Sequence, residues 1–177
     1  MKKTLLCIML LGLIGNFTFA QEEVQKRTIC YIGPGMGLDY GGIFGAKIEV
    51  LPIKYFGLFA GGGYTLLSFG WNVGGTVKIL PDKKVSPNLM CMYGYNAVLF
   101  GMDSYSKKYN MTSYGVTAGI NIDIKIGEKN KLTPGLFVPF RSQKFKDNYE
   151  KAENDPNMSL TPLWPIGMSV GFNFGIQ

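Results

Sequence analysis

The chain has 177 residues, with 18 Lys and Arg against 12 Asp and Glu and a formal charge of +6. Only 17% of residues are charged and 14% are aromatic, so ample apolar surface is available to bury and a disordered polyelectrolyte is excluded. Histidine is absent, which removes Ser-His and Cys-His catalytic pairs and every His-ligated metal site.

Met1-Lys2-Lys3 is a short positive start, residues 4–14 are almost wholly apolar, and Asn16 to Ala20 close the stretch with small or polar residues among two aromatics. This is the pattern of a secretory signal peptide cleaved after Ala20. The apolar run falls short of the roughly 20 residues a transmembrane helix needs. Residues 1–20 are therefore predicted to be a signal peptide and 21–177 a single folded domain. Cleavage removes two of the 18 basic residues, Lys2 and Lys3, and none of the 12 acidic ones, leaving a net charge of +4. It also removes Cys7. Cys30 and Cys91 then fall on separate predicted strands, and both are expected to be free thiols in apolar surroundings.

Period-two alternation runs through the mature chain and predicts strands. In 28–38, Cys30, Ile32, Met36 and Leu38 oppose Tyr31, Gly33, Gly35 and Gly37. In 42–50, Phe44, Ala46, Ile48 and Val50 oppose Gly45, Lys47 and Glu49. Residues 55–77 then hold no charge over 23 positions, long enough for a membrane-spanning helix. Seven glycines argue against that helix, since each costs about 1 kcal/mol relative to alanine in a helix interior. Two strands, 55–67 and 70–80, fit the same run with a tight turn at Ser68-Phe69-Gly70. Residues 87–101 form a fifth strand of ambiguous parity. In 111–127, Tyr114, Val116, Ala118, Ile120, Ile122, Ile124 and Ile126 oppose Ser113, Gly115, Thr117, Gly119, Asn121, Asp123 and Lys125. The seventh and eighth strands are 132–141 and 162–176, the latter alternating without fault from Ile166 to Ile176.

Eight strands, most long enough to cross a bilayer when tilted, predict an all-β, eight-stranded antiparallel up-and-down transmembrane β-barrel. The non-apolar face is mostly Gly, Ser, Thr and Asn, which suits the narrow interior of such a barrel better than a water-washed exterior. The charges Lys47, Glu49, Lys78, Asp123, Lys125 and Arg141 share that inward parity and are expected in the lumen. With the amino terminus periplasmic, short polar turns fall at 51–54, 81–84 and 128–131, and outer loops at 39–41, 68–70, 103–110 and 142–161. The last loop contains a charged stretch able to form a short helix. It is a solvated cap over the barrel mouth or a partner-contact loop, with Lys144, Lys146, Tyr149 and Lys151 as the contact residues.

The segments 33–42 (GPGMGLDYGG), 70–75 (GWNVGG), 93–97 (YGYNA) and 169–176 (SVGFNFGI) resemble those of small outer-membrane β-barrel proteins of the Bacteroidota type. The resemblance spans nearly all of the mature chain. It implies residence in the bacterial outer membrane after export by the secretory pathway. It also implies outer-membrane lipid and lipopolysaccharide as surroundings, and recognition by the barrel-assembly machinery near the end Phe174-Gly175-Ile176-Gln177. Some barrels of this size modify lipid A with a histidine and a serine, and a chain without histidine lacks that mechanism. Gly33 to Gly42 matches neither dinucleotide nor phosphate-loop spacing. No catalytic residue, cofactor, metal or nucleic-acid partner is expected. The expected function is a non-enzymatic outer-membrane barrel with a structural, adhesive or envelope-complex accessory role. A narrow channel for ions or small solutes is one alternative, and a soluble lipocalin-like carrier with reversed faces is the other.

Overall fold

The computed structural model describes residues 30–100, 109–155 and 163–176. The predicted signal peptide lies outside the described residues. Eight strands form one closed antiparallel barrel in the order β1-β2-β3-β4-β5-β6-β7-β8. They are β1 (Cys30–Gly37), β2 (Gly42–Ile53), β3 (Phe56–Tyr64), β4 (Phe69–Lys78), β5 (Val85–Leu99), β6 (Met111–Ile126), β7 (Asn130–Pro139) and β8 (Gly167–Ile176). The fold is thus the eight-stranded up-and-down barrel that the alternation predicts. The uncharged run is two paired strands, β3 and β4, in unbroken register from Phe56↔Val77 to Tyr64↔Phe69. Closure comes from β1 pairing with β8, Cys30 opposite Ile176 and Gly37 opposite Ser169. A closed sheet leaves no edge strand to pair with another chain.

The two ends of the barrel differ. Short connections after β2, β4 and β6 define a turn end, where Lys54 pairs with Asp82 at 2.8 Å. The loop end carries the longer connections and the helix α1 (Gln143–Glu153). Ser142 caps that helix by accepting from the Phe145 backbone N–H. Phe145, Tyr149 and Ala152 recur at helical spacing and are buried against Ala97 and Leu99 of β5.

The connection between β1 and β2 departs from expectation. Leu38–Tyr40 is a single 3₁₀ turn that folds into the barrel and not over its mouth, with Asp39 and Tyr40 fully buried. Gly37 (φ 109°) and Gly41 (φ 76°) bracket it in the left-handed region, where a side chain is disfavoured. Leu38, assigned by parity to the outer face, instead packs inside against Phe59, Met90, Met92 and Phe137.

β5 resolves its own ambiguity. Leu89, Cys91 and Tyr93 point outward, while Met90 and Met92 are buried within. A register shift between Tyr95 and Ala97 then breaks the parity, so that Tyr95, Asn96 and Ala97 are all buried. Cys30 and Cys91 are free, Cys30 half-buried and Cys91 exposed.

Candidate functional site

The interior is the part of this molecule where polar chemistry is concentrated. β2, β4, β6 and β7 contribute Glu49, Lys78, Asp123 and Lys131, each 3–5% exposed. The four alternate in charge and close a ring. Lys78 meets Glu49 at 3.2 Å and also pairs with Asp123. Lys131 meets Asp123 at 2.9 Å and also pairs with Glu49. Each ammonium thus touches two carboxylates and each carboxylate two ammoniums. The ring is neutral as a unit. Removing four ions from water is costly, and mutual pairing offsets that cost only when every partner is present.

A second charged pair lies nearer the loop end. Lys47 on β2 pairs with Asp39 of the in-folded turn. Its Nζ also stands 4.5 Å from the centre of the Tyr40 ring and 5.7 Å from that of Phe59. Asn72 on β4 donates to the carbonyls of Leu38 and, at 3.1 Å, Tyr95. Asn88 donates to Asn121 at 2.7 Å, tying β5 to β6 from within.

Glycine makes room for the turn. Gly63, Gly45, Gly35 and Gly171 are cross-strand neighbours on β3, β2, β1 and β8. A Cβ on Gly35 would come within 2.5 Å of the Tyr40 ring, and one on Gly171 within 2.0 Å of its Oη. On Gly45 and Gly61 the added carbon would strike the backbone oxygens of Tyr40 and Asp39 at 2.0 and 2.2 Å. The glycine-rich inner wall is therefore a cradle matched to one inserted turn.

Of the residues assigned to the lumen by sequence, Lys47, Glu49, Lys78 and Asp123 lie there. Lys125 shares their parity but sits half-buried at the turn end, donating to the Pro81 carbonyl at 2.7 Å. Arg141 stands beyond β7 at the loop-end rim, where its Nη2 donates to the Trp164 carbonyl at 2.5 Å. Burial there lowers the pKa of its guanidinium. Neither joins the ring. The ring's fourth member, Lys131, reads in the sequence as part of a periplasmic turn. It belongs to β7 because that strand begins at Asn130.

On the outer loop, Lys144, Lys146 and Lys151 are exposed along α1. Tyr149 is not a surface contact residue. It lies on the buried side of the helix, and its Oη accepts from the Leu163 backbone N–H at 3.2 Å. A cavity of about 420 Å³ beside the helix is lined by Asn110, Met111, Lys144, Asp147, Asn148 and Lys151.

The outer wall is the inverse of the interior. Six charged side chains occur on the eight strands, Lys47, Glu49, Lys78, Asp123, Lys125 and Lys131, and all share inward parity. Facing out are Ile48, Leu58, Val73, Leu89, Val116, Ile120, Leu136 and Val170, all exposed. Exposed aromatics gather toward the two ends. Phe44, Tyr64, Phe69 and Phe140 stand at the loop end, and Tyr55, Phe56 and Phe174 at the turn end. Trp71 packs against Tyr93 and Tyr114 with ring centres 6.2 and 5.8 Å apart.

Comparison with protein-family models, with curated proteins and with solved structures finds no match to this chain. Its geometry alone carries the functional reading.

Proposed function

We propose that this protein is a non-enzymatic integral β-barrel of the bacterial outer membrane, with a structural or accessory role in the envelope. One observation carries the reading: an uncharged apolar exterior surrounds a strand interior that takes every charge. In water, such an exterior would be an apolar patch of a size that monomeric soluble proteins rarely expose. In a bilayer it is the favoured surface, and a single Lys or Arg placed on it at the midplane costs about 2–4 kcal/mol. Closure satisfies the backbone groups that hydrocarbon cannot. The aromatics near both ends match the interfacial girdles of such barrels.

The interior supports a closed barrel over a conducting one. An eight-stranded barrel is just wide enough for side chains to fill it. Here the four-charge ring and the inserted turn with Tyr40, Phe59 and Phe137 fill two successive levels. The soluble-carrier alternative needs an apolar calyx, and the inner wall instead presents Asn72, Asn88, Asn121, Asn173 and six ions counting Asp39. With the loop end outside, Lys144, Lys146 and Lys151 would face the cell exterior, where an adhesive or accessory partner would meet them.

The test is reconstitution in planar bilayers together with crosslinking in cells. The expected outcome is a folded, membrane-inserted barrel with no steady conductance. Crosslinking from position 144 or 151 is expected to capture an envelope partner. Steady openings from the folded barrel would favour the channel reading instead.

A further inference from the structure

Two ladders of the barrel skip pairs in mid-strand while keeping their register, and both gaps coincide with a proline. Between β1 and β8 the pairing runs from Cys30↔Ile176 to Ile32↔Phe174, then resumes at Gly35↔Gly171. The gap falls on Gly33 and Pro34. Between β6 and β7 it runs from Thr117↔Pro139 to Asn121↔Gly135, then resumes at Ile124↔Leu132. That gap faces Thr133 and Pro134. Proline has no N–H to give a ladder, which accounts for both breaks. By contrast, β7 and β8 pair without interruption from Lys131↔Asn173 to Phe137↔Gly167. The β7–β8 hairpin is therefore a continuous two-stranded panel bounded on each side by a broken ladder.

Side chains cross both breaks from within. At the β1–β8 break, Tyr40 Oη donates to Asn173 Oδ1 at 3.2 Å and accepts from its Nδ2 at 3.1 Å. At the β6–β7 break, Thr133 Oγ1 donates to Asp123 Oδ1 at 3.0 Å. Asn173 Nδ2 links the two by donating to Thr133 Oγ1 at 3.2 Å. The relay Tyr40–Asn173–Thr133–Asp123 thus begins on the in-folded turn, passes over β8 and β7, and ends in the charge ring on β6. All four residues are buried. A groove of about 370 Å³ lies on the outer surface of the same region, lined by Pro34, Met36, Phe44, Leu132, Val170 and Phe172 among others.

We propose that the β7–β8 hairpin is a wall panel latched shut from inside by this relay, and that the in-folded turn is the bolt. Opening the panel parts two ladders already weakened by proline, and the relay spans both broken points, joined at the β6–β7 break by the Lys131–Asp123 ion pair. The proposal rests on pairing and hydrogen bonds alone and holds in detergent as in a bilayer, so its failure leaves the membrane reading untouched.

Hydrogen exchange resolved by segment in detergent micelles tests it. Tyr40→Phe and Thr133→Val each remove one latching hydroxyl with little change of shape. In the combined variant, exchange of amides in 130–139 and 167–176 is expected to rise roughly tenfold or more, since each lost buried bond weakens closure severalfold. Exchange in 56–78 is expected to stay unchanged. Disulfides across both boundaries, Ile32→Cys with Phe174→Cys and Ile120→Cys with Leu136→Cys, should restore slow exchange in a background lacking Cys30 and Cys91. Faster exchange spread evenly over all strands, no change in the panel, or no rescue by the disulfides would each overturn the proposal. Tyr40→Phe alone gives the same reading at smaller amplitude if the combined variant does not fold.

Discussion

Gly171 and Gly61 both face the in-folded turn, but an added carbon meets a different obstacle at each. On Gly171 it strikes the Tyr40 hydroxyl, which a substitution can remove; on Gly61 it strikes the Asp39 backbone oxygen, which none can. Gly171→Ala is expected to cost about 1–3 kcal/mol, the usual range for overpacking, and to lose most of that cost in a Tyr40→Ala background. Gly61→Ala should be equally costly in both backgrounds. Urea unfolding of the refolded barrel measures all four. Lys131 gives a sharper contrast. Lys131→Met leaves two carboxylates facing one ammonium and is expected to destabilise by about 3–5 kcal/mol. Removing Glu49 as well, as Glu49→Gln in the same chain, should recover a large part of that loss. Sequence exposed the residues of this interior unevenly. Lys47, Glu49, Lys78 and Asp123 were legible because each sits inside a run of clean alternation. Lys131 was not, since it adjoins the polar stretch Glu128-Lys129-Asn130 and reads as turn. Asp39 and Tyr40 looked like an ordinary hairpin loop, because nothing local records that a loop folds inward. The one available signal was the excess of glycine on the opposing inner face.

Among the elements, α1 shows how two periods divide one chain. Phe145, Tyr149 and Ala152 follow helical spacing, so Tyr149 turns toward β5 while the lysines remain outside. The sequence allows a short helix here but does not show which side of it is buried, so Tyr149 reads as a contact residue beside the lysines. Phe145→Ala should detach the helix from Ala97 and Leu99 without opening the barrel. Trypsin should then cut at Lys144, Lys146 or Lys151 well before the barrel loses its heat-dependent gel mobility. The strands are legible because apolar residues alternate strictly with small or polar ones from Ser113 to Ile126 in β6 and throughout β8. β5 is opaque because Met90 and Met92 put apolar side chains on the inner face and because the register shift after Tyr95 places successive residues on the same side. The outer face of β6 offers a graded test. Ile120→Lys, at mid-strand, should cost about 2–4 kcal/mol in lipid, and Ile126→Lys, at the turn end, about 0–1 kcal/mol. Equal costs at the two depths would show that the wall senses no bilayer.

At the scale of the whole molecule, closure and inversion are one arrangement. The closed sheet turns its apolar residues outward and its charged ones inward, so the strand ions gather within and pair with each other. The barrel's shape was readable from eight alternating runs, whereas the level at which each interior group sits depends on register and strand stagger, which no run displays. The most direct measurement is fractionation of cells making the full chain, with a carbonate wash and gel mobility before and after heating. The protein is expected to stay with the outer-membrane pellet, to be extracted only by detergent, and to migrate faster before heating than after. Recovery of a folded monomer in the soluble fraction, without detergent, would contradict it.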